Sequence, residues 1–170
     1  MIQYFLLSII AFSGLIAGII IGHYTKEEYS EQNKYYKIVM QATCLILGAI
    51  VVLRYNFSLL NLALVVIGLI TGFFLYDSIY LFLGMILATG YNWEFSYILF
   101  SLVFVIGLPA GTLLKEKSIK NIIFIIALFV LPLMLIFVPQ ANILGLFAGA
   151  ALFSIAIRKK LGQQDLNNNK

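Results

Sequence analysis

Gly14-Leu15-Ile16-Ala17-Gly18 is the first of four copies of one pattern: Gly-Leu, any residue, Ala or Thr, then Gly. The others are Gly68-Leu69-Ile70-Thr71-Gly72, Gly107-Leu108-Pro109-Ala110-Gly111 and Gly145-Leu146-Phe147-Ala148-Gly149, each inside a long apolar stretch. A small residue at every fourth position leaves a ledge on one face of a helix. In lipid, where hydrophobicity does not drive helices together, such a ledge lets two backbones approach closely. The chain's 13 glycines in 170 residues should give about one i, i+4 pair by chance for a Gly-x-x-x-Gly template; it has five, Gly18/Gly22 included. Four share the same Leu, which marks an internal duplication.

The surroundings of the motif set the class. Apolar residues make up 62% of the chain and charged ones 11%, and its mean hydropathy is +1.03. A soluble domain carries roughly 25% charged residues, so the composition is that of a membrane protein. Crossing about 30 Å of hydrocarbon takes about 20 helical residues, fewer where lipid adapts to a short helix. Apolar runs cover 2–22, 38–53, 58–75, 78–91, 95–114, 122–138 and 142–157. The expected fold is therefore all-α: a polytopic bundle of seven spans, forming one domain over 1–160, followed by a disordered polar tail at 161–170. The first run reads as a retained span and not as a signal peptide, because no basic residue precedes Lys26.

Charge placement supports seven. With the N-terminus outside, ten of the 11 Lys and Arg residues fall on the inner side, and only Arg54 falls outside. That is the bias the positive-inside rule requires. Dropping the short fourth run would divide the basic loops between the two faces. The chain is thus expected in the cell membrane with its C-terminus cytoplasmic. Its partners are then the lipid bilayer and a protein partner or second copy. The net charge of +4 is spread between apolar runs, so it orients helices and does not point to nucleic acid.

The four motifs fall in the first, third, fifth and seventh runs, at spacings of 54, 39 and 38 residues. About 39 residues is one helix, a turn and a helix back, so the unit is a transmembrane hairpin. Asn61 and Asn142 each stand seven residues before a motif glycine of their run, Gly68 and Gly149 respectively. Helices running the same way with the same ledge (Gly14, Gly18, Gly68, Gly72, Gly107, Gly111, Gly145 and Gly149) are expected to pack as a central layer, with the even-numbered helices outside. The longer first spacing comes from the polar segment 24–36, which reads as an inner-face loop or a solvated helical extension. It is the expected docking surface for a partner.

Chemistry is sparse. Ionisable groups deep in a membrane cost at least a few kcal/mol and mark active sites, yet none stands near the middle of any run. The sequence has no nucleophile motif, no metal-ligand run and no phosphate loop, so no enzymatic activity and no cofactor is expected. His23 and Glu27 lie one helical turn apart, with Glu28 beside them and Asp77 as a third acid on that face. They form an inner-face binding candidate for a metal or proton. Cys44, the single cysteine, has no ligand partner at useful spacing and reads as a buried inert thiol. Gln41, Thr43, Thr71 and Thr112 are polar within runs and are the candidate lining of a solute path. Two functions follow: transport of a small neutral solute through a lumen of hydroxyls and glycines, or a non-catalytic membrane subunit docking a partner through 24–37.

Overall fold

The computed structural model describes residues 2–24, 29–55, 58–75, 78–90, 96–114, 119–134 and 142–168. Among them are seven helices and no strand: α1 (Ile2–Tyr24), α2 (Tyr29–Arg54), α3 (Leu59–Phe74), α4 (Ile79–Gly90), α5 (Ser96–Leu114), α6 (Ile119–Leu133) and α7 (Asn142–Asn168). α1, α2 and α5 contain stretches of 18 to 20 residues long and apolar enough to cross a bilayer, and they fit a membrane-embedded protein. α3, α4, α6 and the apolar part of α7 are shorter apolar helices.

Local signals account for several boundaries. Ser58 caps α3, its hydroxyl accepting from the Asn61 backbone N–H at 3.2 Å, which satisfies one of the donors a helix N-terminus leaves free. α2 starts at Tyr29, so most of the segment read as an insert is helical backbone. α7 continues to Asn168. Its polar end is rich in Lys, Gln and Leu, which are good helix formers, and holds no proline. Pro109 and Pro132 both lie inside helices, α5 and α6.

The helices meet in a defined order. α1 packs on α5, α5 on α2, α2 on α7 and α7 on α3, while α4 packs on α7, α6 and α5. Glycine contacts fix the directions. Gly14 lies against Phe104, Gly18 against Leu108 and Gly22 against Thr112, so α1 and α5 are parallel. Gly68 meets Phe147 and Gly72 meets Ala151, so α3 and α7 are parallel too. Gly48 meets Phe153, while Gly145 meets Tyr55, so α2 and α7 are antiparallel.

This arrangement corrects the expected layering. The odd-numbered helices form two separate pairs, not one layer of four, and one even-numbered helix, α4, is not peripheral. α4 lies at the centre, with ten of its 12 residues buried. The physical reason is that α4 is apolar all round, and a helix without a polar face is stable only where it is covered on every side. Aromatic contacts tie the centre together: Phe82 of α4 and Phe147 of α7 lie 6.0 Å apart, edge to face, and Phe12 of α1 sits 4.6 Å from Phe129 of α6. The outer surface is apolar as well. Leu59 is 91% exposed and Phe74 76%, with Ile10, Leu62, Ile123 and Phe124 also open. A monomer in water rarely carries so much contiguous apolar surface.

Candidate functional site

The motif glycines fall into two contact types. Between α1 and α5 the ledges face each other. A Cβ on Gly107 would stand 2.7 Å from the Leu15 nitrogen, and one on Gly111 2.8 Å from the Ile19 nitrogen and 2.9 Å from the Gly18 Cα. On the other side, Cβ atoms at Gly14 and Gly18 would run into the carbonyls of Phe104 and Leu108. All these neighbours are backbone, which cannot swing away. Between α3 and α7 only α3 uses its glycines: Gly68 and Gly72 lie against Phe147, Ala150 and Ala151. Gly145 and Gly149 of α7 face elsewhere, towards Thr89 of α4, towards Gly48 and Val51 of α2 and towards Tyr55 just after it.

Two further close approaches involve glycines outside the motifs. A Cβ on Gly48 would lie 2.8 Å from the Gly149 carbonyl oxygen, and Gly84 packs against the Phe129 carbonyl and Pro132. Neither glycine belongs to an i, i+4 pair, so sequence spacing gave no signal for them.

The candidate solute-path residues do not share a described cavity. The Thr43 hydroxyl donates to the Val39 carbonyl at 2.8 Å, Thr71 to Ile67 at 2.8 Å and Thr112 to Pro109 at 2.8 Å. Each hydroxyl thus returns to its own helix, on α2, α3 and α5 respectively. This is the ordinary way a hydroxyl is satisfied inside a membrane helix. Gln41 differs. It is 9% exposed, and among the described residues its buried amide nitrogen has no hydrogen-bond partner. Leaving such a donor unmet costs about 1–3 kcal/mol.

Two of the cavities are built entirely from described residues, and both of these linings are apolar. One of about 10 Å³ lies between α1, α4, α5 and α6, beside Phe12, Leu15, Leu83 and Phe129. That is barely room for one water, and no polar group is there to hold it. The other, about 310 Å³ and open on one side, lies between α2, α3 and α7 and is lined by Ala49, Val52, Leu53, Val65, Leu69 and Ala150. None of Gln41, Thr43, Thr71 and Thr112 contributes to either.

Of the inner-face candidates, His23 is exposed at the end of α1, with its ring 6.1 Å from that of Tyr24. Glu27 and Glu28, and Asp77 with them, lie outside the described residues. Among the described residues no three His, Cys, Asp or Glu side chains gather as metal ligands. Cys44 is buried, 1% exposed, in the core. At the opposite end of α2, burial pushes the Tyr55 phenol up to about 12. Its oxygen and that of Thr89 both border the Gly145 backbone. The chain matches no protein-family model, no curated protein and no solved structure.

Proposed function

We propose that the chain is a seven-span protein of the cell membrane, N-terminus outside and C-terminus cytoplasmic, acting as a non-catalytic membrane subunit that docks a partner through the inner segment 24–37. The seven-span count is supported by direction. α1 runs with α5, α3 runs with α7, and α2 runs against α7, as strict alternation across a bilayer demands. Ten of 11 basic residues on one side support the orientation. The single observation that carries the subunit reading is the scattering of the polar residues. Each threonine hydroxyl is satisfied within its own helix, and the described cavities are apolar. Such an interior suits packing more than passage.

The test has two arms. Vesicles containing the purified protein should swell in glycerol no faster than protein-free vesicles; faster swelling excludes the subunit reading. Deleting Lys26 to Lys34 should leave the melting temperature of the protein in detergent unchanged and remove whatever protein co-purifies reproducibly with the intact chain. A partner retained after that deletion docks elsewhere. The topology is checked by itself. In a Cys44→Ser background, Ser58→Cys should react with a membrane-impermeant maleimide added to intact cells.

Gln41 favours a second reading, transport of a small neutral solute. A buried amide with no partner among the described residues is what a hydrogen-bonding solute would meet on its way through the bundle. Gln41→Leu separates the two. In a subunit it raises the melting temperature, because an unmet donor is removed; in a transporter it also abolishes uptake.

A further inference from the structure

The apolar groove between α2, α3 and α7 ends beside a residue that breaks the charge pattern of the chain. Leu53 and Val52 line the groove, and the next residue is Arg54, exposed at the last turn of α2. Arg54 is the one basic residue that the charge pattern leaves on the outer face. Among the described residues no carboxylate pairs with it; Glu94, in the gap between the fourth and fifth apolar runs and so on the same outer side, lies outside them.

Depth along the helices is informative. Val65 and Leu69 lie six and ten residues into α3 from Leu59. At 1.5 Å per residue the groove therefore reaches about 15 Å below the helix end. One leaflet of a bilayer has about that thickness, half of a roughly 30 Å hydrocarbon core. Leu53 is 77% exposed and Phe153, which also borders the groove, 36% exposed, so the open side faces outward from the bundle.

We propose that the groove holds one acyl chain of a phospholipid whose phosphate is bound by Arg54. A wholly apolar channel one leaflet deep takes a hydrocarbon tail, and the positive group at its mouth complements an anionic head. The guanidinium suits that head because its planar donors match phosphate oxygens two at a time. Together they select a tail and a head joined in one molecule. The inference rests on the seven-span reading only in placing the end of α2 at a bilayer surface.

Native mass spectrometry of the full chain in mild detergent, with phosphatidylglycerol added, tests the site. One phosphatidylglycerol should stay bound, and diacylglycerol with the same tails should be held more weakly. Arg54→Gln should lower retention about fivefold, the effect of about 1 kcal/mol for one basic residue at a lipid surface. Ala49→Phe, which fills the groove, should lower it as well, and Arg158→Gln, at the other face, should not. Retention unchanged in Arg54→Gln overturns the proposal, as does diacylglycerol bound equally well or an equal loss in Arg158→Gln. If Arg54→Gln and Glu94→Gln instead lower the melting temperature alike while the lipid stays, Arg54 belongs to an ion pair and the proposal fails. Retention in detergent does not depend on orientation. A failed Ser58→Cys labelling therefore sinks the topology and leaves this measurement standing.

Discussion

The α1–α5 and α3–α7 pairs start from the same five-residue motif and use it differently. In the first pair both helices present glycines to each other, and each glycine meets backbone on its partner. In the second, α3 presents Gly68 and Gly72, while α7 answers with Phe147, Ala150 and Ala151. The glycines of α7 are set two residues away from that face, roughly 200° around the helix at 3.6 residues per turn. α7 therefore carries a small-residue surface on two sides and is gripped by α2, α3 and α4. A repeated motif specifies that close approach is possible, but the neighbours that arrive decide which helix makes it.

Substitutions at four positions rank the contacts. Gly111→Leu should be the most damaging, because its side chain would meet the backbone of Leu15, Gly18 and Ile19 at once. Overpacking of this kind costs about 3 kcal/mol or more. The expected result is loss of the folded monodisperse protein in detergent, or a melting temperature lower by about 10 °C. Gly72→Leu comes next. It jams α3 on Ala151, but α3 has one packed neighbour of this closeness and an otherwise exposed surface, so the helix can shift outward; about 2 kcal/mol is expected. Equal losses from the two variants would erase the distinction between a reciprocal and a one-sided ledge.

Gly145→Ala should cost about 1 kcal/mol. The new methyl meets the Thr89 and Tyr55 side chains and not backbone. Its effect should loosen α7 from α2 and α4, leaving α3 in place; slower thiol labelling of Cys44 than in the wild type would contradict that. Smallest is Gly22→Ala. Its nearest neighbour is the Thr112 Cα at 3.1 Å, a gap that a shift of a few tenths of an ångström opens. Alanine also favours the helix by up to about 1 kcal/mol over glycine. The melting temperature should stay within about 2 °C of wild type.

Much of this was legible in the residues. All seven apolar runs contain a helix, because sustained apolarity in a chain this poor in charge leaves helices as the economical way to satisfy backbone groups. The glycine ledges announced close packing through an i, i+4 spacing that chance does not supply. The pairing was not legible. Nothing in the α7 motif says that Ala150 and Ala151 will receive α3 and free Gly145 and Gly149 for α2 and α4. Nor did the fourth run advertise its central place, since shortness reads as weakness until its burial is seen. The Arg54 groove was half visible: the stray charge stood out, but its apolar neighbours became a channel only when α3 and α7 closed around them.

The position of α4 has a consequence for how the protein is made. Its 12 residues rise about 18 Å, too little to settle across a bilayer unaided. The helix that covers much of it, α7, leaves the ribosome only after α5 and α6. Until then α4 has no complete seat, so the nascent chain must keep a short apolar segment in waiting. A message truncated before residue 142 would strand it, giving quality-control proteases a reason to act that has nothing to do with any single contact.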